Sequence, residues 1–155
     1  MRSILFVCTA NICRSPTAEA VFRRYLGRKG AESQFEVDSA GTHDYHVGKP
    51  PFPMAVEVAK AKGIDITNHV ARRISAGDFD HYDMILAMDR GNIAALRQVA
   101  PTRAKQKIEL LLEYGDEYHG EDVPDPYGGE VQDFERSLLM IKDGCKGLVQ
   151  LLVRT

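Results

Sequence analysis

Apolar residues arrive along this chain in two rhythms. Ile4-Leu5-Phe6-Val7 and Met84-Ile85-Leu86-Ala87-Met88 are unbroken runs that suit strands covered on both faces. Phe35-Glu36-Val37-Asp38-Ser39 alternates apolar and polar residues and predicts a strand with one wet face, and Lys107 to Leu112 predicts a fourth. Between these runs the apolar positions recur every three or four residues, the spacing of one helix face. Ala18, Val21, Phe22, Tyr25 and Leu26 follow Pro16 in this way, and Gly27 and Gly30 around Arg28-Lys29 mark the stop. A second helix is predicted from Met54 to Lys62, ended by Gly63, and a third after Asp89 as N-cap, through Ile93, Leu96 and Ala100 to Pro101. The longest stripe, Phe134, Leu138, Ile141, Cys145, Leu148 and Leu152, predicts a last helix from about Val131. Strands alternating with helices predict an α/β fold, a parallel sheet with helices on both faces.

The first strand runs straight into Cys8-Thr9-Ala10-Asn11-Ile12-Cys13-Arg14-Ser15, which opens the first helix. A loop feeding a helix N-terminus presents unpaired N–H groups and the positive end of the helix dipole. Consecutive loop amides form a concave nest for an anion, and Arg14 adds a planar fork that fits two phosphate oxygens. Positive surroundings of this kind favour the thiolate of a cysteine such as Cys8. A thiolate beneath a bound phosphoryl group is placed for in-line attack on phosphorus.

Composition narrows the setting. Lys and Arg number 20 and Asp and Glu 22 in 155 residues, a net charge of −2 that gives no footprint for nucleic acid or an anionic membrane. The apolar runs are too short to span a bilayer, and the first residues pass into strand too quickly for a signal peptide. Three cysteines make no disulfide framework, and the five scattered His give no zinc spacing, so neither metal nor cofactor is expected. A chain that uses a free thiolate suits a reducing, cytoplasmic compartment. Cys145 lies on the last apolar stripe and reads as packing.

From Cys8 to Pro16 the sequence resembles the signature of the low-molecular-weight protein tyrosine phosphatases. The resemblance extends over nearly the whole chain, residues 1–155 as one domain. It implies a three-layer α/β/α fold with a four-stranded parallel sheet in the order 2-1-3-4 and the phosphate loop at the end of strand 1. That order puts the loop at the topological switch point, where open α/β sheets bind ligands. It also implies Cys8 as nucleophile, Arg14 as phosphate ligand, and Thr9, Ala10, Asn11, Ile12, Cys13 and Ser15 as the remaining substrate-binding loop. Tyr45, in a Gly-punctuated loop from Ala40 to Gly48, becomes one aromatic wall of the slot. His69, in Asn68-His69-Val70-Ala71-Arg72, matches a His that supports the loop through Asn11, Ser15 and Ser39. Asp125-Pro126-Tyr127, by itself only a turn signal, matches the acid motif: Asp125 protonates the leaving group and then serves as base, with Tyr127 as the second wall. Asp122 lacks the following Pro-Tyr and reads as surface.

Two departures stand out. Ala10 occupies a position that is often Gly, a cost on the order of 1 kcal/mol if the backbone there needs positive φ. Gly128 follows Tyr127 where some relatives carry another aromatic. The expected partners are phosphotyrosine proteins, in bacteria including a tyrosine kinase of polysaccharide synthesis, and the expected state is a monomer. Three alternatives remain. Arsenate reduction on this fold relays a disulfide through cysteines near the third strand, where this chain has none. A phosphoarginine phosphatase carries Thr at the position of Ile12. A non-catalytic phosphotyrosine-binding module needs neither the thiol nor Asp125. Cys13 either pairs with Cys8 under peroxide, sparing it from over-oxidation, or only fills space.

Overall fold

The computed structural model describes residues 1–153. Its sheet has four parallel strands, β1 (Arg2–Cys8), β2 (Phe35–Gly41), β3 (Met84–Ala87) and β4 (Ile108–Leu110), in the order β2-β1-β3-β4. Central β1 is buried from Ser3 to Cys8. Because strand side chains alternate, its two faces belong to different cores. Ile4, Phe6 and Cys8 face a core shared with Phe22 and Leu26 of α1 (Arg14–Arg28) and Leu138, Ile141 and Leu148 of α5 (Val131–Leu152). Leu5 and Val7 face a smaller one with Phe79, Leu96 and Ile108. On the first side Phe6 meets Phe22 edge-on at 5.6 Å between ring centres, and Phe22 meets Phe35 at 5.8 Å, a favoured aromatic geometry.

The remaining helices are α2 (Pro53–Ala61), α3 (Ala76–His81) and α4 (Arg90–Val99). The α5 stripe is buried from Phe134 through Leu148 and half-buried at Leu152, and Cys145 is fully enclosed. β2 continues two residues past the alternating pattern, through Ala40 and Gly41. β4 is shorter than its apolar run, because Leu111 to Tyr114 turn into a 3-10 helix that packs on α5. There the helix backbone closes in: a Cβ on Gly147 would lie 1.7 Å from the Tyr114 carbonyl oxygen. α3 has no apolar stripe to announce it; its signal is the capping box of Ser75 and Asp78. No helix among the described residues is long and apolar enough to cross a membrane.

Candidate active site

The loop leaves β1 at Cys8 and enters α1 at Arg14, at the carboxyl edge of the sheet beside the strand-order reversal. The residues that follow β2 hold it from the side. The N–H of Thr42 donates to the Cys8 carbonyl at 2.9 Å and that of His43 to the Thr9 carbonyl at 3.0 Å. Gly41 permits this approach, since a Cβ there would sit 2.8 Å from the Thr9 carbonyl oxygen. The loop turns through Asn11, whose φ of +60° is the one positive value at a non-Gly residue in the described chain. Ala10 therefore carries no left-handed strain; the turn falls one residue later, on a residue type that tolerates it. No side chain among the described residues caps the start of α1, so the end of the helix is open to an anion.

The buried Asn11 side chain organises the loop from within. Its Oδ1 accepts from the backbone N–H of Arg72 at 2.9 Å and faces His69 Nε2 at 3.0 Å. Its Nδ2 donates to Ser15 Oγ at 2.8 Å and Ser39 Oγ at 3.1 Å. His69 also reaches the Asn11 carbonyl at 3.0 Å. The support expected from His69 thus reaches Ser15 and Ser39 only through the Asn11 amide. At Cys8, Sγ lies 3.0 Å from Ser15 Oγ and accepts the Asn11 backbone N–H at 3.3 Å.

Arg14 is held from the far half of the chain. It is 2 % exposed, and its Nη1 donates to Asp89 Oδ2 at 2.6 Å and to the Val123 carbonyl at 2.9 Å. Nη2 lies 3.7 Å from Asp125 Oδ2 and 3.5 Å from Thr9 Oγ1. Burial alone would lower the pKa of this guanidinium, but Cys8 and the carboxylates Asp89 and Asp125 outweigh it and the net shift is upward. Asp89 does two jobs, since its Oδ1 also caps α4 by accepting from the Asn92 N–H at 2.7 Å. Burial, then the nearness of Cys8 and Asp125, pushes the Cys13 thiol up to about 12 despite Arg14. Burial also raises Cys145.

Above this floor opens a cleft of about 270 Å³ lined by Cys8, Thr9, Ala10, Ile12, Cys13, Arg14, Tyr45, His46, Asp125 and Tyr127. Nine sequence-predicted residues meet here, with His46 as an addition. Asn11, Ser15, Ser39 and His69 lie behind the loop rather than in the cleft. Tyr45 stacks on His43 at 4.9 Å, and Tyr127 rests edge-on against Phe52 at 5.2 Å. Asp125 Oδ1 accepts the Tyr127 N–H at 3.1 Å, which fixes its turn and leaves Oδ2 toward Arg14. Asp122 points away and pairs with Arg90 at 2.8 Å.

The family model for the low molecular weight phosphotyrosine protein phosphatases matches residues 3–155. The chain belongs to that family. Among its phosphatase relatives, the low molecular weight protein-tyrosine-phosphatase YfkJ of Bacillus subtilis is 42% identical over 149 residues, covering 96% of this chain and 94% of YfkJ. The crystal structure of a protein tyrosine phosphatase from Entamoeba histolytica with Hepes in its active site is similar at a TM-score of 0.94 and 34% identity, over 98% of this chain and 97% of that one. Wzb of Vibrio vulnificus, solved with benzylphosphonate, is similar at 0.85 and 34% identity, over 97% of this chain and 99% of Wzb.

Asp89, the Val123 carbonyl, Arg72 and His46 touch this cleft or the loop beneath it and were not singled out for it by the sequence. Asp89 was legible only as a helix cap, and the Val123 contact is made by backbone, which leaves no mark in side-chain identity.

Proposed function

We propose that this phosphatase hydrolyses phosphotyrosine in proteins through a phosphocysteine intermediate. The observation that carries the reading is one cleft with Cys8 at its floor, Arg14 beside it and Asp125 at its wall. The loop amides and Arg14 bind the phosphoryl oxygens, and the Cys8 thiolate attacks phosphorus opposite the aryl oxygen. As the P–O bond breaks, Asp125 gives its proton to the leaving oxygen, yielding tyrosine and an S–P bond. Asp125, now a carboxylate, takes a proton from water as that water attacks phosphorus. Inorganic phosphate leaves and the thiolate returns, stabilised by the Ser15 hydroxyl and the Asn11 N–H. Tyr45 and Tyr127 flank the slot, which suits the depth and planarity of a phosphotyrosine ring better than the short stem of phosphoserine.

Arsenate reduction fits less well, because a relay needs further accessible thiols and Cys145 is fully buried, donating to the Ala18 carbonyl at 3.6 Å. A binding module has no use for Asp125 in the cleft. Apolar, buried Ile12 favours an aryl phosphate over phosphoarginine. A reducing cytoplasm suits the free thiols, and the protein substrates include a tyrosine kinase of polysaccharide synthesis if the host is bacterial. Under peroxide, Cys8 oxidised to the sulfenic acid condenses with Cys13, with loss of water, to a reversible disulfide. Both residues line the same cleft. Peptide mapping after mild oxidation tests this: sulfinic acid on Cys8 with no crosslink would leave Cys13 a packing residue.

Asp125→Asn tests the acid. General acid catalysis is worth about 10²–10⁴-fold, so the variant loses most of that factor on phosphotyrosine and far less on an aryl phosphate whose phenol is already acidic. Equal losses on both would reduce Asp125 to a loop-positioning group.

A further inference from the structure

We propose that Glu19 is a positioning residue for the phosphate loop, acting on Cys8 through Ser39, Asn11 and Ser15; this deepens the phosphatase reading and rests on it. Glu19 lies on α1, past the loop, and its side chain is 17 % exposed. Its two oxygens are divided. Oε2 accepts from Arg23 at 3.0 Å on the outside, while Oε1 accepts from the fully buried Ser39 hydroxyl at 2.8 Å.

That contact fixes the Ser39 proton, and together with the Arg72 N–H on the Asn11 amide it sets the direction of the hydrogen bonds that follow. A serine hydroxyl has one proton, and here the carboxylate, which can only accept, takes it. The Ser39 oxygen is then free only to accept, which is what Asn11 Nδ2 needs at 3.1 Å. The same NH2 group sends its other proton to Ser15 Oγ at 2.8 Å, which turns the Ser15 proton toward Cys8 Sγ at 3.0 Å; the competing Ala40 carbonyl is farther, at 3.4 Å. On the opposite side of the amide, the Arg72 N–H and His69 require an oxygen. The carboxylate therefore anchors one end of a polar chain whose other end is the sulfur, and holds in place the one residue of the loop with positive φ. Without it the Ser39 hydroxyl turns freely, and the Asn11 NH2 faces a rotor that presents a proton part of the time. Arg23 and Glu19 both border an open cleft of about 360 Å³ that reaches His69, so the anchor is approached from the face behind the loop.

The test compares Glu19→Ala, Glu19→Gln, Ser39→Ala and the double Glu19→Ala/Ser39→Ala, with Arg23→Ala to remove the outer ion pair alone. One neutral-range hydrogen bond corresponds to roughly three- to tenfold. Glu19→Ala should lower kcat by about that factor, whereas Glu19→Gln, which keeps an acceptor for Ser39, and Arg23→Ala stay near wild type. The double variant should be no slower than Ser39→Ala, because both changes cut one chain. In NMR spectra the Asn11 side-chain NH2 protons should exchange faster in Glu19→Ala than in wild type or Glu19→Gln. Multiplicative losses in the double variant, or Asn11 exchange unchanged in Glu19→Ala, would overturn the proposal. Glu19→Gln as slow as Glu19→Ala would also overturn it, by assigning the effect to charge rather than to the acceptor. A wild-type protein inactive on phosphotyrosine, with the Asn11 exchange pattern intact, would instead overturn the functional reading.

Discussion

Replacing Asp89 separates its two roles. Asn caps helices about as well as Asp, so Asp89→Asn keeps the α4 cap through its oxygen and replaces the charged acceptor facing Arg14 by an uncharged NH2 donor. Taking one partner from a buried ion pair costs about 3–5 kcal/mol. Asp89 is 24 % exposed, and Arg14 retains the Val123 carbonyl and Asp125, so about half of that, roughly 2 kcal/mol, is expected. Asp89→Ala adds the lost cap, about 1 kcal/mol. For a chain of this size each kcal/mol moves Tm by about 2–4 °C. Asn should therefore melt about 4–8 °C lower and Ala about 6–12 °C lower. A guanidinium no longer clamped on its inner side also binds phosphate less well, so inhibition by inorganic phosphate should weaken by roughly tenfold in both variants, the equivalent of about 1.4 kcal/mol. Thermal unfolding with and without phosphate, alongside steady-state inhibition, measures both quantities. If Asn matches wild type in Tm and phosphate inhibition while Ala loses both, Asp89 is a helix cap and the clamp reasoning fails.

Cys8→Ser should abolish turnover while the loop still binds vanadate; a tenth of wild-type rate in a pure sample would refute the nucleophile. Iodoacetamide at pH 8 should label Cys8 alone, because the Cys13 thiol, pushed up to about 12, and the buried Cys145 hold their protons; comparable labelling of Cys13 would contradict that burial. Gly147→Ala should destabilise by several kcal/mol in urea, more than the roughly 1–3 typical of overpacking, since its Cβ meets backbone at Tyr114. Burial pushes the Asp78 pKa up, but bonds from Arg72 and Ser75 outweigh it and the net shift is down. Its contribution is thus present above the unfolded value near 3.9 and is lost as pH falls through the lower folded value. The stability gap between wild type and Asp78→Asn should then be full at pH 7 and close below about pH 4; a gap that widens in acid would reverse the sign.

Strands and long helices were legible because burial imposes a period on many residues at once. The unbroken run of β1, the alternation of β2 and the α5 stripe each repeat their signal several times. α3, six residues long, offers no stripe and only the Ser75–Asp78 cap. Around the cleft, the loop was legible because its residues stand consecutively between a buried strand and a helix start. The clamp on Arg14 was not, because Asp89 already had a sufficient local reason to be Asp and Val123 contributes only its carbonyl. Glu19 was hidden for the same reason, an acidic residue on a helix looking like any solvated position until Ser39 is seen against it.

The clamp on Arg14 also has a consequence for synthesis. Cys8 and Arg14 leave the ribosome well ahead of the Val123 carbonyl and Asp125 that flank Arg14, and α5, which closes the core over α1, follows them. A nascent chain that ends before Val123 has Cys8 and Arg14 but neither Asp125 nor the cover of α5. The cleft is therefore assembled only once the segments from Val123 through α5 have emerged, and Cys8 has to pass through that interval before its own fold encloses it.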